Sequence, residues 1–234
     1  MEIVALIAAA GKGKRMNAKT SKPFIPIFGK AILAYTIEKF EKCDLIDKIY
    51  IVTNKKEKDY CWNNIVLKYN FTKVKGIIIG GNSRQASVFN GLKALDSTTT
   101  GIVVIHDGAR PLVEKAIIQE SIKAAETNGA AIVSVPLKDT VKKVGEGFFI
   151  NKTLDREEIW RAQTPQTFKY RLIISAYRQA YKDKYFATDD AALVEKYGHK
   201  VKLIVGSEKN IKITSPFDII VAENFLKRGI RFKL

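Results

Sequence analysis

The chain has 234 residues, 46% of them hydrophobic, and a formal net charge of +16. That is enough apolar material for one sizeable core, whereas the longest apolar runs, 3–10 and 129–136, fall far short of the ~20 residues that span a bilayer. The positive charge is spread along the chain without the aromatic interleaving of a nucleic-acid surface, which disfavours nucleic acid as a partner.

The first residues lack the basic segment and cleavage site of a signal peptide, so a cytoplasmic protein with no membrane contact is expected. Cys43 and Cys61 have neither metal-ligand spacing nor a histidine cluster beside them and read as free thiols. His106 and His199 are too few and too far apart to suggest a zinc site.

Taken in chain order, residues 3–7 form an Ile/Val-rich run that predicts a buried strand, followed by helical patterning over 32–42. The alternation repeats with a strand at 49–52, a helix at 57–69, a strand at 74–79, a helix at 85–95 and a strand at 102–105. Strand–helix–strand repetition predicts an α/β fold, a mainly parallel sheet flanked by helices. The pattern changes after Val135: residues 137–144 and 148–154 read as two strands joined by Gly145-Glu146-Gly147, a hairpin that projects as an arm. Helices at 170–181, 189–197 and 216–228 follow, with a strand at 201–205. No linker or repeat divides residues 1–234, which are read as one domain carrying the 137–154 arm.

In a parallel sheet, ligands gather beyond the carboxyl ends of the strands, so the segments just after each strand carry most weight. The first strand runs into Ala8-Ala9-Ala10-Gly11-Lys12-Gly13-Lys14-Arg15-Met16. Small residues and glycines let backbone N–H groups approach an anion closely. No Gly-Lys-Ser/Thr follows, so this is not a P-loop, and Met16 replaces the third glycine of a dinucleotide fingerprint. Arg15 and Lys22 bring two cations to the same turn, a combination suited to a triphosphate. The fourth strand leads into His106-Asp107-Gly108-Ala109-Arg110-Pro111. An acid there is placed to hold Mg²⁺, and Arg110 is placed to pair with it or to reach a phosphate; His106 reads as a packing residue.

The ordered set Ala8-Ala9-Ala10-Gly11-x-Gly13-x-Arg15-Met16, Lys22, Gly80-Gly81-x-x-Arg84-x-x-Ser87, His106-Asp107-x-Ala109-Arg110-Pro111, Asp139-Thr140, Asp155-Arg156, Gln163-Thr164-Pro165-Gln166, Thr188-Asp189 and Asn210-Ile211-Lys212 resembles the 2-C-methyl-D-erythritol 4-phosphate cytidylyltransferase family. The motifs cover nearly the whole chain. The resemblance implies a Rossmann-like nucleotidyltransferase fold and a role in the non-mevalonate supply of isoprenoid precursors. It implies that CMP passes from CTP to a sugar-alcohol phosphate with release of pyrophosphate, with Mg²⁺ as cofactor and Asp107 as its ligand.

It further implies that Arg15, Lys22, Lys212 and Asp107 act at the reacting phosphates. Ala9, Ala10, Gly11, Gly13, Gly81, Asn82 and Ser87 would bind the nucleotide. Arg110, Thr140, Arg156, Thr164 and Thr188 would surround the acceptor, and the arm would hook around a second subunit in a homodimer. Two positions depart from the family pattern: Ser21-Lys22-Pro23 stands for the usual Pro-Lys-Gln, and Asn82 for a common acid. A ribitol-5-phosphate cytidylyltransferase is the alternative. Such enzymes favour Leu-Ala-Gly-Gly in the first loop and Arg-Asn where this chain has Asp155-Arg156. A basic nucleic-acid-binding module is more distant, since no helix-turn-helix, zinc or aromatic-sheet signature is present.

Overall fold

The strand β1 (Glu2–Ala8) alternates its side chains between two cores: Ala5 and Ile7 join one, Val4 and Leu6 the other. Period-two alternation with apolar residues on both sides is what a sheet covered on both faces requires. The computed structural model describes residues 1–11 and 21–228. After the short strands β2 (Pro26–Ile27) and β3 (Lys30–Ala31) come α1 (Ile32–Glu41) and β4 (Lys48–Thr53). The segment expected as one helix over 57–69 is a composite: a 3₁₀ turn at Lys55–Glu57, α2 (Lys58–Cys61) and a π-helical stretch at Trp62–Leu67. Then follow β5 (Val74–Ile79), α3 (Arg84–Ala94), β6 (Thr100–Asp107), α4 (Lys115–Asn128) and β7 (Ala130–Pro136). Gly129, at φ +87°, takes the left-handed conformation that ends α4.

The arm holds β8 (Lys142–Val144) and β9 (Ile150–Thr153), paired antiparallel across a turn that includes Gly147 at φ 62°. The chain then returns as β10 (Trp160–Lys169) and closes with α5 (Tyr170–Lys182), α6 (Asp190–Lys196), β11 (Lys202–Val205) and α7 (Pro216–Arg228). The main sheet has the order β11-β7-β10-β6-β1-β4-β5. Its pairs are parallel except at β10, which runs antiparallel to β6 and β7. The expected mainly parallel, helix-flanked sheet with a projecting hairpin is therefore present. The antiparallel insertion of β10 and the helix α4 are additions to the sequence reading.

Residues of α1 and α4 pack on one face of the sheet, and residues of α3, α5 and α6 on the other. A smaller cluster, Ile27, Ile32, Leu112, Ile213 and Ala222, seats α7. The helices α3 and α6 start at side-chain caps: Ser83 Oγ accepts from Ala86 N at 3.0 Å, and Asp189 Oδ1 from Ala192 N at 2.9 Å. These caps fix the helix starts that face the strand ends. Among the described residues, no helix is long and apolar enough to cross a membrane.

Candidate active site

Ala8, Thr53, Ile79 and Asp107 are the last residues of four neighbouring parallel strands, β1, β4, β5 and β6. The chain leaving them stays stitched to the sheet. Ala9 N–H donates to Val52 O at 2.7 Å, Gly80 N–H to Thr53 O at 2.8 Å and Gly108 N–H to Ala8 O at 2.9 Å. Small residues make this possible. A Cβ on Gly80 would lie 2.6 Å from Ala10 Cβ and 2.8 Å from Ser87 Oγ, closer than real contacts allow. Gly81 N–H donates to Ser87 Oγ at 3.0 Å, and that hydroxyl donates to Ser83 O at 2.8 Å. Ala9, Ala10, Gly81 and Ser87 are thus gathered in one rim, with Gly11 and Asn82 exposed at its edge. Gly13 and Arg15 lie outside the described residues.

Beside this rim, Asp107 is 7% exposed and faces three cations. Lys212 Nζ lies 2.8 Å from Oδ2, Arg110 Nε 3.5 Å from Oδ2 and Arg84 Nε 3.5 Å from Oδ1. Burial alone would raise the Asp107 pKa; Arg84, Lys212 and Arg110 together outweigh it and hold the carboxyl well below the usual range. The three cations thus favour the ionised form of Asp107. Burial also draws the Arg110 pKa down against the pull of Asp107. Arg110 Nε has no aligned hydrogen bond, so its contact with Asp107 is an ion pair by distance only. Its Nη1 donates to Asn210 O at 2.7 Å, and Ile213 N–H donates to Ala109 O at 2.9 Å. These two bonds dock the segment that carries Lys212 onto the segment after β6.

The strand β10 supports Asp107 from below. Asp107 N–H donates to Thr164 Oγ1 at 3.1 Å, and Thr164 Oγ1 lies 2.9 Å from His106 Nδ1. His106 Nε2 lies 3.1 Å from Arg110 O, which can only accept. Nε2 therefore carries the proton, and Nδ1 accepts from the threonine. Burial pushes the His106 pKa down to about 4, in keeping with this neutral tautomer. Thr164, expected beside the acceptor, is 3% exposed with its hydroxyl committed to Asp107 and His106, so the contact it makes here is a supporting one.

The remaining expected residues lie on three other segments of the chain. Lys22 opens a 3₁₀ turn, Lys22–Phe24, anchored by buried Pro23 and Phe24; Phe24 shares a core cluster with Ala9. Thr188 is exposed immediately before the cap Asp189 of α6. Thr140 and Arg156 are exposed in and beside the arm, and Arg156 Nη1 donates to Lys138 O at 3.1 Å.

The sequence reading assigned no role to Arg84, Asp190, Gln163, Gln166 or Asn210. Arg84 joins Asp107 to Asp190, while Asn210 is fully buried and donates to Thr164 O at 2.8 Å. The signal for Arg84 was its place in the Gly80-Gly81 motif; Asp190, 106 residues away, gives no local sign.

Among the described residues, no group of three or more His, Cys, Asp or Glu side chains is arranged to hold a metal ion. Asp107 stands as a single carboxylate, and among the described residues its Oδ1 has only the longer contact with Arg84. That suits Mg²⁺, which is commonly held by one or two carboxylates together with substrate phosphates and water. Two concavities, of about 530 Å³ beside Met1 and Asp47 and about 300 Å³ beside Ser97 and Arg178, are lined by none of these residues. The candidate site is therefore defined by the charges at the strand ends and not by those hollows.

Comparison with known proteins gives a consistent result. The family model for 2-C-methyl-D-erythritol 4-phosphate cytidylyltransferase matches residues 3–228. A protein of that name from Clostridioides difficile (strain 630) is 50% identical over 221 residues, covering 94% of this chain and 92% of its own. Another from Geotalea uraniireducens (strain Rf4) is 45% identical over 228 residues, 97% of each chain. Among solved structures, 4-diphosphocytidyl-2C-methyl-D-erythritol synthase from Anaerococcus prevotii DSM 20548 superposes with a TM-score of 0.86 at 34% identity, covering 97% of this chain and 96% of its own.

Proposed function

The chain belongs to the 2-C-methyl-D-erythritol 4-phosphate cytidylyltransferase family, and from that premise we propose that it transfers CMP from CTP to the phosphate of 2-C-methyl-D-erythritol 4-phosphate, releasing pyrophosphate. The product feeds the non-mevalonate supply of isoprenoid precursors. The observation that carries the reading is the ionised Asp107 under Lys212, Arg110 and Arg84, beside the small-residue rim of Ala9, Ala10 and Gly81.

The reaction brings one phosphate anion onto another. An acceptor phosphate oxygen forms a bond to the α-phosphorus of CTP while the bond from that phosphorus to the bridging oxygen breaks, and pyrophosphate leaves with the electron pair. The nucleophile is already ionised, so no Ser, Cys or His side chain has to be activated. The barrier lies in repulsion and alignment, which fixed cations relieve. Holding both reactants in line is worth roughly 7–11 kcal/mol.

In this reading Arg15 and Lys22 cradle the triphosphate, and Lys212 holds a phosphate beside Asp107. Ala9, Ala10, Gly11, Gly13, Gly81, Asn82 and Ser87 shape the nucleotide site. Arg110 and Thr188 serve the acceptor, with Thr164 supporting Asp107. Bound Mg²⁺, held by Asp107 and the nucleotide's own oxygens, would neutralise charge on the α-phosphate.

Thr140 and Arg156 complete the acceptor site of a neighbouring subunit in a homodimer built through the 137–154 arm. Support comes from the arm's apolar surface: Phe148 is 94%, Phe149 79% and Ile150 63% exposed. A two-stranded hairpin is marginal without a surface to cover it. The partners are then CTP, the acceptor and a second copy, with no nucleic acid, and the reaction is cytoplasmic.

Pyrophosphate release measured with CTP, UTP and ATP against 2-C-methyl-D-erythritol 4-phosphate and ribitol 5-phosphate tests the proposal. Turnover is expected only with CTP and the methylerythritol acceptor. Preference for ribitol 5-phosphate would move the chain to the alternative activity, and equal use of UTP would remove the cytidine selectivity.

A further inference from the structure

Asp190, in the first turn of α6, is a fully buried carboxylate that the proposed chemistry does not use. Its oxygens take the guanidinium of Arg84 in a parallel fork, Nη1 to Oδ1 at 2.9 Å and Nη2 to Oδ2 at 2.7 Å. The hydroxyl of Tyr177, itself fully buried, donates to the same Oδ1. The contact of Arg84 with Asp107 is different in kind: a single Nε at 3.5 Å. A paired fork has defined geometry and is among the stronger charge-assisted contacts. While Asp190 holds both Nη groups, they cannot fork onto Asp107.

The charge count shows why this matters. Arg84, Arg110 and Lys212 all crowd Asp107. Three cations already share Asp107; without a second anion, the Arg84 fork would be free to turn from Asp190 onto it. Arg84 would close on Oδ1, the oxygen least engaged among the described residues. A buried carboxylate is costly unless paired and hydrogen-bonded, and Arg84 with Tyr177 meets that need for Asp190. The position of Asp190 is fixed as well: Gln166 Oε1 accepts from Asp190 N and Ala191 N, each at 3.0 Å. Gln166 sits on β10 two residues from Thr164, whose hydroxyl accepts from Asp107 N. One strand therefore sets the backbone of both acids.

We infer that Asp190, braced by Tyr177, is a positioning residue that limits Arg84 to a single Nε contact with Asp107 and so keeps the paired Nη groups from closing on Asp107 Oδ1 at the proposed reacting centre. The inference rests on the proposed cytidylyl transfer. It differs from a purely structural role for the buried pair because it acts on turnover through Arg84 alone.

The test is a kinetic cycle of Asp190→Asn, Arg84→Met and the double variant, with melting temperatures measured in parallel. Asp190→Asn should lower kcat by about 10- to 100-fold with the KM for CTP changed less than about threefold, and should cause no further loss of kcat in the Arg84→Met chain. The same factor lost in both backgrounds, or kcat retained in Asp190→Asn, overturns the inference. Should Asp190→Asn fail to fold, Tyr177→Phe removes one hydrogen bond and runs through the same cycle. A several-fold loss confined to the Arg84 background supports the inference, and equal losses in both overturn it. A crystal structure of Asp190→Asn, or of Tyr177→Phe in its place, reads the claim without turnover: Arg84 should shift onto Asp107, and an unmoved Arg84 overturns the inference. Wild-type protein that gives no pyrophosphate with any acceptor, while Arg84 shifts in the variant, places the failure in the proposed activity and not in the positioning.

Discussion

The Asp107 cluster and the arm both carry residues marked for the acceptor, yet they are built in opposite ways. Asp107, Arg110 and Lys212 are tied to one another and to Thr164, Asn210 and Ala109 by contacts within the chain. The arm has its own ladder from Lys142–Thr153 to Val144–Ile150, while Phe148 and Phe149 stand in solvent. A site that must meet charge with fixed charge needs groups that do not reorganise, and the carboxyl end of a buried central strand supplies them. A hairpin whose apolar residues face outward is made to be completed by another surface. The contrast yields tests that fall from large effects on the cluster to small ones on the arm.

The largest effect is expected at the cluster. Asp107→Asn removes the anion that three cations share, and Lys22→Ala removes a charge proposed for the triphosphate. Each should lower kcat/KM by on the order of 10²-fold or more. Only Asp107→Asn should also lower the melting temperature markedly, since breaking a buried pair costs about 3–5 kcal/mol. Steady-state kinetics and thermal melts on both variants check this. Activity within about twofold of wild type for either would remove that residue from the reacting centre.

Arg156 sharpens the comparison because its proposed work is done for a neighbour. Arg156→Ala and Lys22→Ala chains should each be impaired alone. Mixed under conditions of subunit exchange, half the dimers are hybrid and each hybrid has one intact site, so activity should recover to about a quarter of wild type. Persistent inactivity after exchange is confirmed would assign Arg156 to its own chain.

Much of this contrast was legible before folding. The Ile/Val runs marked β1, β4, β5 and β6, and Gly145-Glu146-Gly147 marked the hairpin turn. The strand β10 was not, because its Gln163-Thr164-Pro165-Gln166 stretch is polar and its pairing register shifts between Ala162 and Gln166. A strand whose polar side chains are spent on the site has no period-two signature to read. The helix α4 did leave a signal: Ile117, Ile118, Ile122 and Ala125 fall on one buried side. Asp107, Arg110 and Lys212 were readable as charged residues in motifs. The neutral state of His106, the inward use of Thr164 and the grip of Asp190 on Arg84 depend on partners far apart in the chain.

His106 gives a smaller effect with a defined sign. Its folded pKa is lowered to about 4 by burial, against an unfolded value of 6.5, so the folded state binds fewer protons within that window. The stability it contributes is complete above pH 6.5 and is lost as pH falls towards 4. Between pH 7 and pH 5 the loss should be about 2 kcal/mol. Urea unfolding at the two pH values measures it, and His106→Gln should lack that increment. An identical pH dependence in wild type and variant would show that His106 takes up no proton on unfolding.

The smallest effect on stability is expected from the arm's tip. Phe148→Ser with Phe149→Ser replaces two side chains that are 94% and 79% exposed, so neither fills the sheet's cores nor leaves a cavity when removed. Surface substitutions of this kind fall within about 0.5 kcal/mol, and the unfolding of the α/β body at low concentration should be unchanged to that degree. What should change is association. If these rings seat on a second copy, sedimentation should show a shift from dimer towards monomer, with activity falling at dilutions where wild type stays paired. A further check is concentration: added variant protein should recover specific activity, because weaker association is offset by mass action. A double variant that melts several degrees lower as a monomer would show instead that the rings pack on their own chain. A dimer unshifted by the change would show that the second copy is held by another surface.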